Sequence, residues 1–176
     1  GGRTLGANTV IIFTSDHGEY GGSHALGDKG GAVYDESIHV PLYISYPQQR
    51  GVQTQPRFRT QMVSSVDILP YLLTLACGSP TYWRQAGQPF AYLSNRESIY
   101  DFLFTPSPTL RRTITVNSQT LQYVLHTYDE GSAQSGTGLD LTYASASPPP
   151  PGHIICLRTQ TTDSAGNYVG AKIAKY

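Results

Sequence analysis

The sequence predicts an α/β fold followed by a small antiparallel sheet, and three stretches carry that prediction. Residues 8–14 are β-branched and continuously apolar at their centre, the character of a strand buried on both faces in a parallel sheet. From Ser65 to Gly78 the apolar period becomes 3.6, as in a helix with one apolar face. Beyond residue 111, runs of alternating character are separated by turn residues, which suits hairpin-connected strands.

The first strand ends abruptly at Thr14 in a glycine-rich loop, residues 15–24, loaded with ionisable groups. Residues 40–46 read as a second strand, with Pro41 at its start, where a missing N–H is tolerated. The stretch between them, residues 29–39, has room for a helical turn. In the helix after Ser65, Val66, Leu69, Leu72, Leu73 and Ala76 fall on one face. Ser64, Ser65 or Asp67 supplies its cap, Pro70 sits near its first turn, and Gly78 stops it. A loop with Pro80, Gly87 and Pro89 follows. Residues 113–116, 121–128, 153–159 and 168–175 are the candidate strands of the antiparallel sheet. Residues 132–138 read as a turn, and the prolines at 148–151 as a stiff surface loop, because consecutive prolines cannot donate to a ladder. No internal repeat is present. The expected organisation is an α/β domain over residues 1–110 and a small antiparallel subdomain, truncated, over 111–176.

Composition narrows the function classes. The 176 residues suit one domain and carry twelve Lys and Arg against twelve Asp and Glu. Zero net charge without a basic block argues against a nucleic-acid partner or a polybasic membrane-surface protein, since both need local positive potential. No apolar run approaches the ~18 residues of a membrane span. The two cysteines, Cys77 and Cys156, form neither a metal-knuckle spacing nor a disulfide framework. Charged residues are 14% of the chain, against about 25% in ordinary soluble proteins, and there are 18 glycines and 12 prolines. That balance favours a piece of a larger protein whose remaining part covers faces that would otherwise carry charge.

The chemistry concentrates on Asp16, His17, His24 and Lys29. Ligands of open sheets bind beyond the carboxyl ends of the strands, and Asp16 and His17 lie two and three residues past Thr14. A carboxylate with an imidazole is compatible with calcium, magnesium or manganese where oxygen dominates, and with zinc where nitrogen does. Two ligands complete none of these shells. Lys29, thirteen positions after Asp16, is repelled by a metal unless an anion sits between them, and metal and ammonium then clamp it together. The plainer alternatives are an Asp that caps backbone N–H groups, an exposed His and a solvated Lys. His24 is a supporting partner, a proton donor or a loop histidine. Asp28, Asp35, Glu36 and His39 read as structural or surface groups, and Glu19 either orients His17 or faces water.

Residues 8–19, then His24, Lys29, Tyr34-Asp35-Glu36-Ser37 and Val40-Pro41-Leu42, resemble the second half of the sulfatase catalytic domain, in the alkaline-phosphatase-like superfamily. Ser65-Val66-Asp67-Ile68-Leu69-Pro70 is similar to the segment after that strand, and residues 153–159 to the C-terminal subdomain. The resemblance implies a mixed sheet flanked by helices and a metal-dependent sulfuric ester hydrolase. Asp16 and His17 would be metal ligands, Lys29 would contact the sulfate oxygens, and His24 is the further catalytic candidate. The implied metal is calcium, with manganese or zinc as alternatives because Asp-His replaces the Asp-Asn of many sulfatases. The family's nucleophile, a Cys or Ser oxidised to formylglycine in sulfatases, lies hundreds of residues earlier in a Cys/Ser-x-Pro/Ala-x-Arg motif, which neither Cys77 nor Cys156 fits. The implied partners are a sulfate ester small molecule or sulfated glycan and the missing N-terminal half of the same protein, so the fragment alone is expected to be inactive. A phosphonate monoester or phosphodiester hydrolase and a non-catalytic sulfatase-like module are the alternatives. The compartment is unknown, with a periplasmic, secreted or lysosomal one favoured over the cytoplasm by resemblance only.

Overall fold

A computed structural model describes residues 6, 8–29, 32–47, 58–129, 153–162 and 168–175. The chain divides into two units, residues 1–58 with 132–152 and residues 59–131 with 153–176.

In the first unit β1 (Ile11–Thr14) pairs antiparallel with β2 (Leu42–Ser45), Ile11 opposite Ser45 and Thr14 opposite Leu42. This corrects the expectation of a parallel strand covered on both faces. Among the described residues β1 has this one neighbour, and Ile11 and Phe13 are 54% and 61% exposed. The pleat explains the difference: cross-strand partners Ile12 and Ile44 are half-buried on one face, whereas Phe13 and Tyr43 meet on the other, ring centroids 6.0 Å apart. A continuous apolar run does not say which of its faces is covered. Between the strands, α1 (Asp35–Ile38) is a single turn that begins with two acidic residues, a favourable placement at a helix N-terminus. It is the helical turn anticipated in residues 29–39.

In the second unit a 3-10 turn at residues 65–67 runs into α2 (Ile68–Cys77). The Ser64 N–H donates to Asp67 Oδ2 at 2.8 Å, and Gly78 ends the helix at φ 63, where a side chain would be strained. The helix is where the 3.6 period put it, but its buried side is not the apolar stripe. Pro70, Tyr71 and Thr74 are buried, while Val66, Leu69 and Leu72 are exposed among the described residues. Tyr71 carries the inward surface, and Thr74 is tolerated inside because its hydroxyl donates to the Pro70 carbonyl and accepts from Trp83 Nε1, both at 3.0 Å. A further helix, α3 (Ile99–Phe104), was not anticipated. Ser98 caps it by accepting the Asp101 N–H at 3.1 Å, and Ile99 and Phe102 face inward.

The four C-terminal strands follow the alternation. β3 (Thr113–Val116), β4 (Gln119–Asp129), β5 (His153–Thr162) and β6 (Tyr168–Lys175) form one antiparallel sheet in chain order. Ile154, Cys156 and Thr159 are buried on β5, and Cys77 and Cys156 are both free thiols. Helices combined with two antiparallel sheets bear out the α/β class and the antiparallel sheet after it. The turn at 132–138 and the prolines at 148–151 lie outside the described residues.

Buried charges pin this sheet to the start of α2. Asp67 is fully buried, and Arg112 grips it with two hydrogen bonds, Nη1 to Oδ1 at 2.7 Å and Nη2 to Oδ2 at 2.5 Å. Glu97, also fully buried, accepts the backbone N–H of Arg111 at 3.0 Å and of Arg112 at 2.7 Å. The Gln122 side chain pairs with both backbone groups of Met62. Each carboxylate is buried with strong donors around it, the condition under which interior charge is tolerated.

Candidate active site

Past β1 the chain curls through short-range hydrogen bonds. Ser15 Oγ donates to the His17 carbonyl at 2.7 Å, and the His17 N–H donates to Asp16 Oδ1 at 3.0 Å. Gly18 then docks on α1. Its N–H donates to the Ser37 carbonyl at 2.8 Å, and a Cβ at this position would stand 1.8 Å from the Glu36 carbonyl oxygen. Only glycine permits so close an approach. Buried Tyr20 closes the excursion: its N–H donates to the Asp28 carbonyl at 3.0 Å and its hydroxyl to the Ala32 carbonyl at 3.3 Å. That return brings Lys29 back to the loop's start.

Three of the four residues singled out in the sequence therefore meet. Lys29 Nζ lies 2.7 Å from His17 Nε2, which lies 3.3 Å from Asp16 Oδ2. The Gly18 carbonyl, 2.7 Å from His17 Nδ1, accepts only, so Nδ1 bears the ring proton and Nε2 turns its lone pair toward Lys29. The Asp16 side chain is 83% exposed, and that of His17 36%. The His17 backbone N–H holds the Asp16 carboxyl below its ordinary range, so it is ionised at neutral pH.

His24 is held by other partners. It sits in the left-handed region at φ 58, stacks on the Tyr34 ring with centroids 3.7 Å apart, and places Nε2 3.2 and 3.3 Å from the two Glu36 carboxylate oxygens. Glu36, read from sequence as structural or surface, is thus the carboxylate partner of His24. Twelve residues separate the two and no helical or strand spacing links them; the Tyr-Asp-Glu-Ser motif was the available signal. Glu19 is exposed, and the orienting contact considered for it is made by the Gly18 carbonyl.

The donor chemistry accommodates a divalent cation in part. A carboxylate oxygen and an imidazole lone pair 3.3 Å apart match two adjacent positions around one ion with bonds of about 2.0–2.6 Å. Among the described residues no third His, Cys, Asp or Glu joins them in a group able to hold a metal. Lys29 donates to the same Nε2 lone pair a metal would take, so the ammonium stands in for a cation there.

Residues 3–79 match the family model described as Sulfatase. Over this stretch the chain is similar to the sulfatase family. The chain is 45% identical over 71 residues to the uncharacterized sulfatase YidJ of Escherichia coli, covering 39% of this chain and 13% of that protein. It is 39% identical over 74 residues to an endo-4-O-sulfatase of Bacteroides thetaiotaomicron, covering 42% and 14%. With arylsulfatase K of Canis lupus familiaris it shares 35% over 88 residues, covering 50% and 15%. The chain thus matches about one seventh of the length of these sulfatases. No solved structure matches it significantly. The matched residues include the whole Asp16–Lys29 loop, α1 and β2. No helix among the described residues is long and apolar enough to cross a membrane.

Proposed function

We propose that this chain contributes part of the active centre of a sulfuric ester hydrolase, in which Asp16 and His17 hold a divalent metal and Lys29 binds an oxygen of the sulfate group. The observation that supports it is the convergence of Lys29 Nζ, His17 Nε2 and Asp16 Oδ2 within one loop, inside the family match. Calcium is the metal proposed first, with manganese or zinc as alternatives; when bound, it supplies Lewis-acid polarisation and neutralises developing charge. The chain's own residues do the rest. The Gly18 carbonyl keeps the Nε2 lone pair of His17 pointed outward, and the docking of Gly18 on α1 fixes its position. Lys29 is within reach of the same point, so an oxyanion arriving there replaces His17 as the acceptor of the ammonium. His24, whose Nε2 lies against the Glu36 carboxylate, is the proposed proton donor to the leaving oxygen. The nucleophile and remaining carboxylates are proposed to come from the N-terminal half, outside these residues. A sulfate ester or sulfated glycan is the proposed substrate, and a periplasmic, secreted or lysosomal compartment goes with that reading.

The test is turnover of 4-nitrophenyl sulfate and of an aryl phosphonate by the intact protein and its Lys29→Ala variant. Sulfate turnover is expected to dominate and to fall about 10²–10³-fold in the variant, the scale for removal of one oxyanion-stabilising group. Lys29→Ala at wild-type kcat refutes the role of Lys29, and faster phosphonate turnover moves the activity to the neighbouring hydrolase class. Elemental analysis of Asp16→Ala reports separately on the metal, which that variant should lose.

A further inference from the structure

The second unit contains a cavity of about 530 Å³ lined by Tyr92, Asn95, Arg96, Arg111, Arg112 and Tyr123. That volume lies within the ~300–1,000 Å³ of small-molecule sites and exceeds what a bare ion fills. Three of the six lining residues are arginines, in a chain with only twelve basic residues.

Their charges are unevenly matched. Arg112 is neutralised by Asp67, although its Nε is buried without a hydrogen-bond partner. The other buried carboxylate, Glu97, is occupied by the backbone N–H groups of Arg111 and Arg112 and by the Gln122 amide. Among the described residues the Arg111 guanidinium reaches the Thr109 carbonyl, at 3.5 Å. Among the described residues neither Arg96 nor Arg111 takes part in an ion pair. Close by, burial, and then the Arg111 charge, push the Arg84 pKa down to about 10.

The scaffold behind these groups is rigid. Glu97 clamps the backbone of residues 111 and 112, and the Tyr123 N–H on β4 donates to the Arg112 carbonyl at 3.0 Å. Tyr92, 75% exposed, lines the cavity's edge with its ring centroid 6.4 Å from that of Phe90. Unpaired guanidiniums on a fixed backbone suit oxyanions, which they grip through paired N–H groups, and tyrosine adds an apolar face with a polar tip.

We infer that this cavity is a binding site for an oxyanion, sulfate or carboxylate, carried on a molecule large enough to reach from Arg96 and Arg111 to Tyr92. The inference stands apart from the proposed activity, because none of these residues belongs to the Asp16–Lys29 loop. Calorimetric titration of the intact protein tests it, performed in the Lys29→Ala background so that this loop contributes no ammonium. Sodium sulfate and sodium glucuronate are the probes, with glucose as the uncharged control. At least one anion should bind while glucose does not, and which anion binds identifies the preferred oxyanion. The double substitution Arg96→Gln/Arg111→Gln should weaken binding about tenfold or more, as loss of charge-assisted hydrogen bonds requires. Asn95→Asp, which adds a carboxylate at an exposed rim position, should do the same and serves if the arginine variant does not fold. Absence of binding by both anions, equal binding of glucose and glucuronate, or anion affinity unchanged by both variants overturns the inference.

Discussion

Replacing Gly18 with Ala tests how the candidate site is built. The added Cβ would stand 1.8 Å from the Glu36 carbonyl oxygen, 2.9 Å from its carbon and 3.3 Å from the Ser37 Cα, all backbone atoms, where real contacts do not fall below 3.0 Å. Either the 15–18 loop or the turn at 36–37 must therefore retreat by at least about 1.2 Å, because no flexible side chain is available to swing aside. The retreat strains the hydrogen bond from the Gly18 N–H to the Ser37 carbonyl and shifts the carbonyl that orients His17. Overpacking of this kind costs about 1–3 kcal/mol of stability. A displacement near 1 Å at a positioned group costs about 10²-fold in rate. Steady-state hydrolysis of 4-nitrophenyl sulfate by the intact protein, paired with its urea midpoint, should show both losses. Gly27→Ala is the control, since its Cβ would meet nothing within 4 Å and its φ is not positive. Gly18→Ala with wild-type kcat and midpoint would refute the close docking of the loop on α1.

Two further outcomes follow from buried charge. Asp67→Ala should destabilise the protein by about 3–5 kcal/mol, because it strands the Arg112 guanidinium in the interior; a shift of the urea midpoint equivalent to under 1 kcal/mol would show that water already screens the pair. Burial lowers the His126 pKa below its ordinary 6.5, so the unfolded chain takes up a proton there more readily than the folded one. The stability associated with neutral His126 is complete above pH 6.5 and is lost as pH falls through that value toward the folded pKa. Urea midpoints at pH 7.5 and 5.5 should show His126→Gln losing less stability on acidification than wild type, and equal losses would refute this.

What the sequence reveals here is local. The strands at 113–116 and 168–175, the helix after Ser65, its Asp67 contact and the Gly78 stop are each fixed by neighbours within a few positions, and all were legible. Asp16, His17 and Lys29 were legible for a related reason, lying at the end of one strand and within one loop. Partners chosen at long range were not. The antiparallel neighbour of β1 lies some thirty residues on, and His24 finds Glu36 twelve residues away across a turn that local periodicity does not describe. The apolar period located α2 but did not tell its buried side, which is formed by Pro70, Tyr71 and Thr74, the threonine hydroxyl accepting from Trp83.

The same contrast explains where this low-charge chain places its ions. Asp67 and Glu97 are fully buried while Ile11, Phe13 and Leu72 remain substantially exposed, the reverse of the usual sorting. Apolar contacts do not specify direction, whereas a carboxylate that accepts from two consecutive backbone N–H groups fixes the chain to within tenths of an ångström. Residues 111 and 112 are held in this way at the point where the chain enters β3, so directional bonds help set the sheet's placement against α2. Glu97 directs its hydrogen bonds to backbone donors, and among the described residues it forms no ion pair with the guanidiniums projecting from those same two residues. Anchoring the strand by main chain leaves Arg111 without an ion pair among the described residues, so the structural role of Glu97 and the positive character of the neighbouring cavity are two consequences of one arrangement.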